Sequence, residues 1–156
     1  MRIEQSASLR PGPAVAEPDP CPDAEKRTMA QLMFVSETGM FHCACRCTWA
    51  ARVEWYGFQP RQHRAPAGAG KVDRSDRTAS VNHTLTFAVA DALLQTAIAK
   101  VARDYAPKTY IVTVCDCVSF TADVARAVGL RVPAINITPF GFLAALALWN
   151  PHLSKT

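Results

Sequence analysis

The sequence predicts an α+β domain in which a small antiparallel sheet packs against helices. Three strand-length segments rich in Val, Phe, Tyr, Trp and Cys lie within residues 31–58. Apolar residues at helical spacing follow in the second half of the chain. Hydrophobic residues make up 49% of the 156 residues and charged residues 19%, a composition that excludes disordered, collagen-like and coiled-coil proteins.

Residues 1–28 are predicted to be a disordered, proline-rich tail, and residues 29–156 a single folded domain. Five prolines fall between positions 11 and 22, among small and charged residues that offer little apolar surface to bury. We interpret the tail as a flexible spacer or a recruitment arm. Because no run of ~20 apolar residues occurs, we expect no membrane span, and the first 30 residues lack the pattern of a signal peptide. The net charge of +4 is too small to indicate a nucleic-acid partner.

The strands are predicted at residues 31–35, 40–48 and 52–58, each short and rich in strand-forming residues. A turn at 48–51 would join the last two as an antiparallel hairpin. Residues 59–83 then form a long polar loop with two prolines, two glycines and five basic residues. Loops of this length are usually functional or mobile, so we expect either a solvated surface excursion or a lid or contact for an acidic partner.

Three helices are predicted at residues 86–105, 117–128 and 138–150, with one more strand at residues 109–114. In the first helix apolar residues recur on one face, and Pro107 ends it. Gly129 caps the second helix at its carboxyl end, and Pro139 lies in the first turn of the third.

Six cysteines need an explanation, and three of them, Cys43, Cys45 and Cys47, alternate along one predicted strand. A zinc site is disfavoured because the usual C-x2-C spacing is missing and such thiols lie ~7 Å apart along a strand. Disulfides are disfavoured because no secretory signal is present. We therefore expect these three thiols to pack in the core, and we predict neither a metal site nor a cofactor.

Cys117 is the candidate nucleophile because it lies where a predicted strand gives way to a helix. The unpaired amides and positive dipole at the start of a helix lower the pKa of a thiol placed there. Cys115 lacks that setting and is interpreted as a structural neighbour. A nucleophilic thiol also needs a base, and His42 lies on the predicted central strand. Alternation places His42 on the face opposite Cys43, where the other interpretation is an exposed imidazole or one bonded to a backbone carbonyl.

Three motifs occur in a characteristic order along the chain. They are G-M-F-H at residues 39–42, W-Y-G-F-Q-P at residues 55–60 and Y-I-V-T-V-C-D-C-V-S-F at residues 110–120. This ordered set resembles the permuted branch of papain-like, NlpC-type cysteine hydrolases, to which the lecithin:retinol acyltransferase-like enzymes are related. The resemblance covers about residues 31–149. It implies a papain-like, circularly permuted catalytic domain over residues 29–156, with the histidine strand before the cysteine helix.

The resemblance implies a catalytic dyad in which His42 is the base and Cys117 the nucleophile. The backbone amide of Cys117 would help to hold the oxyanion. A third residue should orient the imidazole from a neighbouring strand, and the candidates are Glu54, Tyr56 and Gln59.

Substrate binding is assigned to Arg61 and Arg64 of the basic loop and to Asp116. Many members of the family carry Asn where this chain has Asp116. An aspartate there is a good helix N-cap, yet its charge would oppose formation of the Cys117 thiolate unless it points away.

These observations predict a cysteine hydrolase, an amidase or endopeptidase, that cleaves an amide bond. For a bacterial protein, which the residue usage indicates, the resemblance implies peptidoglycan peptides as the substrate. Without a signal peptide, such a thiol protease would be made in the cytoplasm. It would reach the periplasm or a target cell by specialised secretion, as a type VI effector toxin does, and an immunity protein would inhibit it at home.

Other functions stay open at this point. The same dyad would serve a deamidase, a transglutaminase-like enzyme or an acyltransferase that acts on a host protein or lipid. A different class is a non-catalytic binding module that uses the basic residues of segment 61–77. A third class is a metal or redox protein that uses Cys43, Cys45, Cys47 and Cys115.

Overall fold

The computed structural model describes residues 28–38, 41–134 and 138–155. Its strands are β1 (Met29–Glu37), β2 (Cys43–Trp49), β3 (Arg52–Pro60), β4 (Ala67–Asp73), β5 (Val81–Ala90), β6 (Thr109–Ile111) and β7 (Ser154–Lys155). Its helices are α1 (Asp91–Tyr105), α2 (Cys117–Ala127) and α3 (Pro139–Trp149). The strands form one sheet in the order β6-β4-β3-β2-β1-β5-β7, and every neighbouring pair is antiparallel. The α+β class is confirmed, whereas the predicted tail lies outside the described residues except for Thr28.

The predicted hairpin is formed by β2 and β3. Its register places Cys45 opposite Tyr56 and Cys47 opposite Glu54, and residues 50–51 make the turn. All three cysteines of β2 are fully buried in the core, which confirms the prediction that they pack there.

All three helices contribute to one hydrophobic core on a single face of the sheet. Edge-to-face aromatic contacts tie the two layers together. The Phe34 ring lies 6.2 Å from that of Phe142 in α3, and the Phe58 ring 5.0 Å from that of Tyr105 in α1. The opposite face carries a small cluster to which no described helix contributes, made of Val35, Ala44 and Trp55. The start of α2 therefore meets the sheet from the core side.

The segment 59–83 is not one long loop, contrary to the prediction. Residues Ala67–Asp73 form β4, which pairs with β3 and β6. The Phe58 ring occupies the space over Gly70, where an added Cβ would lie 2.2 Å from the ring. A chain with this little side-chain volume has weak strand propensity, so the strand depends on tertiary packing that local sequence does not reveal.

The first helix begins at Asp91, five residues later than predicted. The five residues before it belong to β5, in which Leu85, Phe87 and Val89 are buried and alternate with less buried neighbours. A period of two is the mark of a strand. Phe87 also fits the helical spacing that follows, and for that reason the helix was predicted to start too early.

The remaining elements are close to their predicted positions. α2 begins at Cys117 and ends before Gly129, whose φ of +86° suits a glycine. The strand predicted at 109–114 is shorter, because the chain turns after Ile111, whose N–H donates to the Cys115 carbonyl. Within the described ranges, no helix is long and apolar enough to cross a membrane.

Candidate active site

Cys117 is the first residue of α2, and Asp116 caps that helix. The Asp116 carboxylate accepts hydrogen bonds from the Ser119 N–H at 3.0 Å and the Thr113 N–H at 2.8 Å. Asp116 is buried, so this carboxylate, which we assigned to substrate binding, serves the helix start and the turn before it. Its charge is shared with backbone amides, which limits its opposition to an ionised thiol.

The Cys117 thiol lies among polar groups although it is buried. It contacts the thiol of Cys43, the imidazole of His42 and the hydroxyl of Tyr110, and it lies 3.8 Å from the Phe41 carbonyl. The hydrogen bond with Cys43, followed by that with His42 and the attraction of the imidazole charge, lowers the pKa of Cys117 to about 5, although burial opposes the shift. Such a thiol is a thiolate at neutral pH.

The other described thiols are perturbed in the opposite direction. Burial raises the pKa of Cys43 and of Cys45 well above the ordinary value, and it raises the pKa of Cys47 to about 12. The pKa of Cys115 is also raised, again mainly by burial. Cys43 therefore stays protonated and can donate to Cys117, which has the helix start and the imidazole beside it.

His42 lies just before β2 and faces the end of β1. The Glu37 N–H donates to the His42 carbonyl at 3.0 Å, and His42 Nε2 lies 4.0 Å from Glu37 Oε1. Gly57 of β3 provides the space for the ring, because a Cβ there would lie 3.2 Å from Nε2. His42 is buried, and its Nε2 has no hydrogen-bond partner within the described residues, although the ring lies beside both the Cys117 thiol and the Glu37 carboxylate.

Arg77 holds that carboxylate in place. It is buried, and its guanidinium donates to both Glu37 oxygens, at 2.8 and 3.1 Å. It also donates to Gln59 at 3.1 Å and pairs with Asp73. A buried carboxylate is stable only with such partners, so Glu37 and Arg77 form one unit behind His42.

The three candidates for the third catalytic residue have different hydrogen-bond partners. Gln59 belongs to the Arg77 cluster, but its hydrogen bond goes to the guanidinium. The Tyr56 hydroxyl donates to Glu54, and neither residue is hydrogen-bonded or ion-paired to His42 within the described chain. Glu37, which the sequence analysis missed, has the place expected of the third residue. The available signal was the short connection between the first two predicted strands, since a hairpin there would bring the end of one next to the start of the other.

Two clefts flank the site. The first has a volume of about 500 Å³ and is lined by His42, Arg61 and Arg64, so both arginines assigned to substrate binding share a cleft with the candidate base. The second, of about 340 Å³, lies next to Glu37. Phe41 lines both clefts and is 90% exposed, so it forms the ridge between them.

Tyr110 and Cys43 are further site residues that the sequence analysis did not assign. Burial, followed by the charge of Cys117, raises the pKa of Tyr110, so its hydroxyl stays protonated at the thiol. Cys43 was interpreted as a core thiol, and Tyr110 entered only as part of the predicted strand 109–114 and of the motif at residues 110–120. In the part of the chain that the structure describes, no three His, Cys, Asp or Glu side chains are grouped so that they could hold a metal ion.

No protein-family model, curated protein or solved structure matches this chain.

Proposed function

We propose that this protein is a cysteine hydrolase that cleaves an amide bond, with Cys117 as the nucleophile and His42 as the base. The observation that carries the proposal is the His42 imidazole beside a buried thiol at a helix start, where Cys43 and His42 lower the pKa of Cys117 to about 5. A nucleophile within hydrogen-bond reach of a base is the arrangement that covalent catalysis requires. We further propose that the fold is papain-like in permuted order, since the histidine strand precedes the cysteine helix.

In the first half of the reaction, the Cys117 thiolate attacks the carbonyl carbon of the amide. The C–O π electrons move to oxygen, and the Cys117 N–H and the Tyr110 hydroxyl donate to this oxyanion. The His42 imidazolium gives its proton to the leaving nitrogen as the C–N bond breaks, which leaves a thioester on Cys117.

In the second half, neutral His42 removes a proton from a water molecule that attacks the thioester. The C–S bond breaks, the carboxylic acid leaves, and the thiolate and imidazolium form again. Glu37 has the role of a positioning residue, because its carboxylate lies 4.0 Å from Nε2 and limits the rotation of the ring. Arg77 in turn fixes Glu37.

For the substrate we propose peptide amides of peptidoglycan, as the family resemblance implies. A deamidase, a transglutaminase-like enzyme or an acyltransferase would share the thioester; the deamidase differs in the amide attacked, and the other two differ in the acceptor that resolves the thioester. Water, an amine and a hydroxyl group are the three acceptors, and the products distinguish them.

The test is digestion of purified muropeptides by the full chain, with products identified by mass spectrometry. We expect cleavage by the wild type, none by Cys117→Ala, and retained cleavage by the matched variant Cys115→Ala. A thioester trapped on Cys117 with intact muropeptides would keep the chemistry and reject the wall substrate. Equal alkylation rates for Cys117 and Cys115 near neutral pH would overturn the proposed nucleophile, and a biological effect that persists in Cys117→Ala would favour a binding module.

A further inference from the structure

The larger of the two clefts, which we call the basic cleft, is lined by His42, by Tyr110 and by residues of the segment 61–66. Its volume of about 500 Å³ is enough for part of a small ligand. His42 and Tyr110 also lie beside the Cys117 thiol, so the cleft adjoins the candidate active site.

The basic cleft carries positive charge that no acidic residue in its lining balances. Arg61, Arg64 and Lys71 line it, and none of its lining residues is acidic. None of these three cations forms an ion pair within the described residues. Glu37, which faces His42, and Asp73, which lies on the same strand as Lys71, are both bound to Arg77, although the charge of Lys71 also acts on Asp73.

The backbone of the segment 61–66 is held at both ends. The Arg61 N–H donates to the Ala69 carbonyl at 2.8 Å, and the Val112 N–H donates to the Pro66 carbonyl at 3.0 Å. Arg61 Nε donates to the Gly70 carbonyl at 3.2 Å, which leaves the outer nitrogens of its guanidinium for a ligand. Arg64 has a φ of +58°, a left-handed conformation that is uncommon for residues other than glycine. Residues in this conformation are found more often at functional sites.

We propose that the basic cleft binds a carboxylate of an acidic peptide, and that this contact selects peptides whose scissile amide lies beside an acidic residue. The inference rests on the proposed function and specifies its substrate. Guanidinium groups bind carboxylates with paired, charge-assisted hydrogen bonds, and three uncompensated cations favour an anion strongly over a neutral group. A phospholipid fits less well, because apart from the rings of Phe41 and Tyr110 the apolar lining consists of small side chains, Pro60, Ala65, Pro66 and Val112.

Binding is measured separately from catalysis by using full-length Cys117→Ala. The probes are a hexapeptide with two central glutamates and the same peptide with glutamines, titrated by calorimetry at low and high salt. We expect the glutamate peptide to bind at least about tenfold more tightly than the glutamine peptide, and this preference to shrink at high salt.

The test variant adds Arg61→Gln and Arg64→Gln to this protein, and its control adds Arg103→Gln and Arg131→Gln. The control makes the same change in net charge at exposed arginines outside the cleft. We expect the cleft variant to lose the preference for glutamate and the control to keep it, with unchanged circular dichroism in both. Equal affinity for the two peptides, or a preference that survives the cleft substitutions, overturns the proposal.

Two further outcomes separate this inference from the proposed function. Wild-type cleavage of glutamate and glutamine peptides at equal rates would reject the carboxylate site and leave the hydrolase intact. A preference for glutamate without cleavage of any amide would keep the site and reject the hydrolase. If phosphatidylglycerol vesicles displace the glutamate peptide and bind through Arg61 and Arg64, the ligand is a lipid and the peptide proposal is wrong.

Discussion

The second thiol of the site, Cys43, gives a direct test of how Cys117 is ionised. Its hydrogen bond is the largest of the effects that lower the pKa of Cys117. A hydrogen bond to a charged group contributes about 1.5–3 kcal/mol, and one pKa unit corresponds to about 1.4 kcal/mol. The substitution Cys43→Ala should therefore raise the pKa of Cys117 by about one to two units, from about 5 to about 6 or 7.

The fold should tolerate this substitution. The hydroxyl of Thr121 contacts the Cys43 sulfur at 3.1 Å, and it keeps its hydrogen bond to the Cys117 carbonyl at 2.8 Å when that sulfur is removed. Cys43→Ser is the matched control, because it retains a donor of similar size at the same position.

The assay is the rate of alkylation by iodoacetamide as a function of pH, with the labelled cysteine identified by peptide mass spectrometry. In the wild type the rate at Cys117 should rise through pH about 5. At pH 6 the thiolate fraction in Cys43→Ala should fall from about nine-tenths to between about one-half and one-tenth, whereas Cys43→Ser stays near the wild type. Identical profiles for Cys43→Ala and the wild type would refute the reasoning, as would an equal shift in Cys43→Ser.

Three more predictions address the residues around the dyad. Gly57→Ala should displace the His42 ring, because the new Cβ would lie 3.2 Å from Nε2. We expect kcat to fall by about tenfold or more while the fold stays intact. An unchanged kcat would show that the ring has room to move. Asp116→Ala should lower the free energy of unfolding in urea by about 1 kcal/mol through loss of the N-cap, and Asp116→Asn should lose less; equal losses would contradict the capping role. Arg77→Met should destabilise the fold by about 3–5 kcal/mol because it leaves the Glu37 charge buried and unpaired. Adding Glu37→Gln to that variant should recover part of the loss in thermal unfolding, and no recovery would contradict the pairing.

The fold was predictable where a local signal exists. The strands of the central hairpin have alternating, β-forming residues, and α2 has a capping aspartate before it and Gly129 after it. β4 had no such signal, because Ala67–Asp73 is made largely of small residues. Its place depends on the Phe58 ring over Gly70 and on pairing with two remote strands.

The proximity of the two candidate residues could be expected from the sequence, whereas their surroundings could not. A cysteine at a helix start and a histidine before a strand are visible in the sequence, and the structure brings both together. Glu37, Tyr110 and Cys43 were missed because each contacts the dyad through strand pairing and layer packing. Spacing along the chain does not contain that information.

The dispersed origin of the thiol's partners has a consequence for biosynthesis. Cys117 belongs to α2, whereas the groups that ionise it, Cys43 and His42, come from the start of β2, more than 70 residues earlier in the chain. In an unfolded chain an ordinary cysteine has a pKa of about 8.5 and is only a few per cent ionised at neutral pH. In a nascent or partly folded polypeptide, the sulfhydryl group of Cys117 therefore reacts slowly. Reactivity arises only when the last long-range contacts close.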